Sequence, residues 1–372
     1  MKNSRYQYLS TYGFRTDWKN KYIYNINEEM SALRELRTPY ERITWEVANQ
    51  TNIGIDMQLL NGKITATLEY FYNFRNNILE FRNASVPLST GITLPRENIG
   101  EVINQGYEIQ LSYMDKIGDF SYSISPNISF SENKIKFWDE TPNVEEYRKS
   151  TGRPIGAQLY YQAIGIFEDE THIDSYPHLA SARPGDIILE DVNKDGEIDG
   201  LDQVRSNKSA IPKMFGGLNI DLKYRNLYSS LLLQGGAGHE YYLNMVTTGS
   251  SQENYYKFIT ENRWTEDNNV NATMPRAAFL SGGTRVYWAD NNYRNTFFLK
   301  KGDYLRIKSL ELGYLVPESV TNLIGLSELN IYFSGMNLLT FSHLPKGFDP
   351  ERSGTTVWPV NKVYSFGVRF SL

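Results

Sequence analysis

The chain has 372 residues, 14% of them aromatic, and no cysteine, which excludes a disulfide, a thiolate nucleophile and a Cys-ligated zinc. Its formal charge of −5 comes with scattered Lys and Arg, so it carries no electrostatic footprint for a nucleic acid. No run of about 18 apolar residues occurs, which excludes a transmembrane helix but not barrel strands, whose apolar residues alternate and average out as polar.

In chain order, Tyr6 to Phe14 is a candidate strand, and the first strong alternation follows at Ile53, Ile55, Met57 and Leu59. Asn61-Gly62 then signals a hairpin turn into Ile64, Ala66, Leu68, Tyr70 and Tyr72. About thirty polar residues are expected to connect this strand to Tyr107, Ile109, Leu111 and Tyr113. The cleanest strand comes next: Phe120, Tyr122, Ile124, Ile128 and Phe130 share one face, with Ser121, Ser123, Ser125, Asn127 and Ser129 on the other. Pro126 lies within this run and lacks a ladder donor, which weakens the strand signal locally.

Further strands are expected over Leu218–Tyr224, Tyr228–Gln234, Tyr304–Tyr314 and Leu329–Met336, with one helical turn after Pro317. The terminal strand sets Tyr364, Phe366, Val368, Phe370 and Leu372 against Ser365, Gly367, Arg369 and Ser371. Nine strands result, with Tyr6 to Phe14 a possible tenth. Connections alternate between short and long, so all the short ones fall at one end. The pattern predicts an all-β, antiparallel up-and-down transmembrane β-barrel with long extracellular loops, its oily face on outer-membrane lipid. A free N-terminal edge would leave backbone groups unpaired in hydrocarbon, so this wall is expected to be the C-terminal portion of a larger barrel.

One motif is chemically specific. Asp191, Asn193, Asp195, Asp199 and Asp202 occupy positions 1, 3, 5, 9 and 12 of an EF-hand-type loop within an insertion at about 183–205. Gly196 takes the sharp turn at position 6, Glu197 offers its carbonyl at 7, and Ile198 packs inward. This set predicts a structural Ca2+ site; the bland alternative is an Asp-, Asn- and Gly-rich surface turn. His172, His178, His239 and His343 read as exposed loop residues, and Glu168-Asp169-Glu170 as a solvated acidic stretch rather than a glycosidase pair. Gly216-Gly217 and Gly235-Gly236 read as close-approach or rim positions. Tyr160-Tyr161, Tyr241-Tyr242, Tyr255-Tyr256, Trp264 and Trp288 read as interface belts or loop packing, with sugar stacking the sharper alternative. No nucleophile and base can be paired.

Several segments resemble a known family. Thr44-Trp45-Glu46, Gln50 to Asp56, Asn98 to Glu108, Gly118 to Tyr122 and Pro184-Gly185-Asp186-Ile187 stand in its order. They are followed by Arg263-Trp264-Thr265, Met274-Pro275-Arg276, Tyr304 to Lys308, Leu312-Gly313-Tyr314, Gly335 to Leu338, Gly347 to Pro350 and the terminal strand. This series resembles the C-terminal half of SusC/RagA-type TonB-linked outer-membrane receptors. The resemblance implies a 22-stranded barrel, an N-terminal plug with a TonB box, a signal peptide, and a SusD-like surface lipoprotein that helps import oligosaccharides or peptides. The present sequence shows no plug, TonB box or signal peptide, so residues 1–372 are expected to be a piece of something longer, with TonB coupling supplied by the missing plug. Two other readings compete: a secreted, calcium-stabilised β-sandwich that binds carbohydrate, and a β-rich glycoside hydrolase.

Overall fold

The computed structural model describes residues 6–14, 22–25, 28–30, 33–82, 94–243, 256–276, 294–352 and 360–372. Nine strands form the main sheet: β1 (Val47–Leu59), β2 (Ile64–Phe81), β3 (Arg96–Ile117), β4 (Phe120–Phe137), β5 (Met214–Tyr224), β6 (Leu227–Ala237), β7 (Tyr304–Leu315), β8 (Glu328–Ser342) and β9 (Val363–Ser371). Their order in the sheet is their order in the chain. That is an unbroken meander, the up-and-down arrangement the alternation predicts. Registers from β4 to β9 are antiparallel throughout.

Two expectations differ from the structure. Thr11–Phe14 is a strand, but it pairs with Leu33–Arg37 in a separate two-stranded sheet and adds no tenth strand to the main one. The connection between β2 and β3 is far shorter than expected, because both strands run on through sequence without regular alternation, to Phe81 and from Arg96. Alternation of apolar residues marks only the length of strand that has one oily face, so extensions whose apolar residues, such as Ile78 and Leu79 or Val102 and Ile103, fall on both faces were invisible to it. The strand expected over Phe120 to Phe130 is present: β4 passes through Pro126, which stands opposite Leu218 in register.

Contacts divide the chain into two units. The first comprises residues 1–52, 71–105 and 133–155. Polar bonds hold it together: Asn98 Nδ2 donates to the carbonyls of Thr44 and Asn77, and its Oδ1 accepts from the Thr44 amide. Arg82 pairs with Glu97 at 2.8 Å, and the Arg96 amide donates to the buried Gln7 side chain.

The second unit comprises residues 53–70, 106–132 and 156–372. Its buried apolar clusters lie in the long connections, not on the sheet. One gathers Tyr241, Leu243, Ile259 and Phe298; a second Tyr161, Leu189 and Ile198; a third Phe167, Ile173 and Ile188. A β-sandwich would bury one face of its strands against another sheet. Here the main sheet leaves its apolar face exposed, so the sandwich reading does not describe this fold.

Candidate functional site: a two-faced wall and its loop cluster

Register carries one face unchanged across six strands. Ile124, Ile220, Leu231 and Leu310 stand opposite one another in turn, as do Tyr122, Leu222, Ser229, Leu312, Phe333 and Phe366. Nearer the short turns, Phe120, Tyr224, Leu227, Tyr314, Ile331 and Val368 form a third such row. Much of this face is open: Phe366 keeps 84% of its surface, and Tyr224, Leu227 and Ile331 are exposed as well. Apolar surface this continuous is not left in water by a soluble protein.

The opposite face is hydroxyl-rich and charged. One row reads Ser123, Asp221, Ser230, Glu311, Ser334 and Ser365. Beside it runs Ser121, Lys223, Tyr228, Gly313, Tyr332 and Gly367, where tyrosine and glycine alternate across four strands. A β-carbon on Gly313 would overlap the Tyr228 ring, and one on Gly367 the Tyr332 ring. Each tyrosine therefore lies over its neighbour's bare backbone. The Tyr228 hydroxyl donates to Glu311 at 2.9 Å and accepts from Asn330 Nδ2 at 2.9 Å, while Arg369 stands 5.5 Å from the Tyr332 ring centroid. Gly216 and Gly235 are close-approach positions as expected: a β-carbon would meet the carbonyl oxygens of Asn127 at 2.6 Å and Tyr304 at 2.7 Å.

Toward the long connections the polar face ends in a buried charge network that sequence reasoning missed. Arg306, only 1% exposed, holds Asp349 through both carboxylate oxygens at 2.8 Å, Glu351 at 2.6 Å and Thr340 at 2.9 Å. A β-bulge between Ile307 and Ser309 interrupts β7 at Lys308, whose Nζ reaches the same Glu351 at 2.9 Å. Bulges commonly re-aim a side chain in this way. Tyr241 adds a hydroxyl bond to the Pro350 carbonyl at 2.9 Å. The last long connection is thereby tied to the sheet. The acids lie more than 40 residues from the bases, so only the two bases on β7 and the acids flanking Pro350 hinted at it.

In the longest connection the Asp-rich loop has the local shape expected of it. Gly196 is left-handed at φ 87, and Ile198 is buried against Tyr161 and Leu189. Asp191 accepts from the amides of Lys194, Asp195 and Gly196; Asp195 accepts from Glu197 and from Asn193 Nδ2. Asp199 caps the short turn Gly200–Asp202 by accepting from the Leu201 amide. Asp202 is fully buried and accepts from the amides of Val192, Asn193 and Asp199. Among the described residues no three His, Asp or Glu side chains stand together as a metal-enclosing group.

Other expected residues resolve individually. Asp169 caps the single helical turn Glu170–Ile173, so the acidic stretch is a helix start. Tyr160, Tyr161 and Tyr241 are buried, and Trp264 donates to the Glu168 carbonyl, so these are loop packing. Tyr255 and Trp288 lie outside the described residues. His239 corrects an expectation. It is fully buried rather than exposed, with neither ring nitrogen bonded, in a niche where a β-carbon on Gly302 could not fit. Burial holds its pKa below the ordinary 6.5. Asp186 pairs with Arg276 at 2.7 Å, and burial nevertheless raises its pKa above 3.8.

A meandering sheet with one face oily and exposed and the other polar is the wall of a transmembrane β-barrel. Comparison with known proteins says which kind. No protein-family model matches the chain. TonB-dependent receptor P3 of Formosa agariphila is 28% identical over 327 residues, which cover 84% of this chain and 31% of the relative. TonB-dependent receptor SusC of Bacteroides thetaiotaomicron is 23% identical over 343 residues, covering 89% of the chain and 32% of SusC. Among solved structures, the RagAB peptide transporter matches with a TM-score of 0.66 at 19% identity, over 98% of this chain and 39% of that one. The chain thus resembles the C-terminal part of TonB-dependent receptors and spans about a third of the length of these curated relatives. All of them are receptors or transporters, not enzymes.

Proposed function

We propose that this chain is the C-terminal barrel wall of an outer-membrane nutrient importer of a Gram-negative cell, energised through TonB. The observation that carries the reading is the apolar face that continues in register from β4 to β9 and stays exposed. From Phe120 to Phe130 it has the length to cross roughly 25 Å of hydrocarbon when tilted. The short turns then lie in the periplasm and the long connections outside the cell. The serine-, carboxylate- and tyrosine-lined face opposite borders the aqueous interior. Its hydroxyls and mixed charges suit oligosaccharide or peptide cargo. The SusC and RagAB likenesses support a SusD-like lipoprotein as partner at the long connections, with TonB engaged by a plug outside this sequence.

Cell fractionation tests the placement. The protein should pellet with outer membranes and resist alkaline carbonate extraction; recovery in the soluble fraction would overturn it. Growth of a deletion strain on oligosaccharide or on peptide as sole carbon source distinguishes the cargo.

The Asp-rich loop is inferred to take Ca2+ as a structural ion. Asp191, Asn193, Asp195, Asp199 and Asp202 would supply side-chain oxygens and Glu197 its carbonyl, a donor set that fits a hard cation. The left-handed Gly196 and the inward Ile198 support this reading. Metal would neutralise the crowded carboxylates and stiffen the connection.

A further inference from the structure

The connection between β7 and β8 carries an exposed apolar surface of its own. After Pro317 the chain makes one helical turn, Glu318–Thr321, and a 3-10 turn, Asn322–Ile324, closed by left-handed Gly325 at φ 71. Thr321 is buried; its hydroxyl donates to the Glu318 carbonyl, and its own carbonyl accepts from the Leu326 amide at 3.0 Å. The turn is therefore built, not frayed. Yet Val320, Leu323 and Ile324 all project from it into the open, Leu323 with 85% of its surface exposed. Single exposed apolar residues are ordinary, but three within five positions of a hydrogen-bonded turn are not, since Asn, Asp, Ser or Gly would serve there.

Two features identify what covers them. The turn grows directly from the lipid-facing face: the Val316 amide bonds the Leu329 carbonyl, and Tyr314, Ile331 and Val368 follow in register. It is also nearly uncharged. From Val316 to Ser327 the only ionisable side chain is Glu318, with no Lys or Arg to seek an anionic headgroup. The turns at Gly118-Asp119 and Arg225-Asn226 differ, being joined by the Arg225–Asp119 ion pair at 2.7 Å.

We propose that this turn is an interfacial anchor, which seats Val320, Leu323 and Ile324 at the boundary between headgroups and acyl chains of a zwitterionic phospholipid leaflet. Burial of apolar area drives such insertion, and the absence of basic residues makes it independent of anionic lipid and of salt. The inference rests on the lipid-facing reading of the sheet.

Because these 372 residues contain no cysteine, a single label can be placed in them cleanly. Leu323→Cys and Ile324→Cys, with Phe366→Cys in the oily face and Lys116→Cys beside a polar turn as references, would each carry an environment-sensitive dye. The proteins would be reconstituted in phosphatidylethanolamine vesicles with or without phosphatidylglycerol, and with spin-labelled lipids. Labels at 323 and 324 should be quenched at least about twofold more by headgroup-level spin labels than the label at 116, equally in both lipid mixtures. Quenching of 323 and 324 from water, while 366 is quenched by lipid, would overturn the anchor alone. A protected environment that appears only as protein density rises would point to a second copy and overturn it as well. Water access at 366 too would overturn the lipid-facing reading with it.

Discussion

Tyr228 covers Gly313 on the polar face of the sheet, and the same relation recurs one strand pair further on between Tyr332 and Gly367. Glycine in a strand forgoes side-chain packing, and an aromatic laid over it restores that contact. Gly313→Val forces the ring off its neighbour and should destabilise the sheet by about 1–3 kcal/mol. In a Tyr228→Ser background the same change should cost much less. Urea unfolding in vesicles checks the coupling, and equal losses in both backgrounds would sink it.

Arg306 is the centre of the loop tether. Removing it leaves Asp349 and Glu351 facing each other without their main counter-charge. Arg306→Ala should cost about 3–5 kcal/mol, because an uncompensated buried charge remains. Protease cleavage in the connection after Ser342 should appear before the strands unfold. Arg306→Lys should not rescue it, since an ammonium cannot hold Asp349 by a planar fork while also reaching Glu351.

Leu111 and Ile124 sit on the oily face and are exposed. Arg at either position should cost about 2–4 kcal/mol of stability in a bilayer. An unchanged folded fraction in vesicles would place these residues away from hydrocarbon.

His239 makes the loop cluster sensitive to acid. Burial depresses its pKa, Asp303 partly opposes the shift and Lys208 reinforces it. Well above pH 6.5 the ring is neutral in both states and contributes no pH dependence. As pH falls below that value, the unfolded chain takes up a proton that the folded one refuses, so stability is lost toward the lower folded pKa. His239→Phe should flatten the fall in protease resistance between about pH 7 and pH 5.

Asp195→Ala should abolish any calcium-dependent protection of the connection from protease. Apo and calcium-loaded wild-type protein cut at equal rates would show that the Asp-rich loop is only a turn. Terbium luminescence gives the same answer without a protease.

Sequence reasoning reached different depths in different places. The strand faces were legible because the side-chain period of two is written residue by residue, as in Phe120 to Phe130. The Asp191–Asp202 loop was legible for a similar reason, its shape depending on Gly196 and Ile198 within twelve positions. The extensions of β2 and β3 were not, since their apolar residues fall on both faces and mark no single oily one. Nor was the burial of His239, which depends on Gly302 more than sixty residues away.

By itself the sequence determined that the chain alternates, where it turns and which side of each ribbon is greasy, because those follow from local geometry. Only the tertiary structure decided which strands adjoin, which tyrosine meets which glycine, and how Arg306 finds Asp349 and Glu351. Such contacts join residues far apart along the chain, and nothing local encodes the register that brings them together.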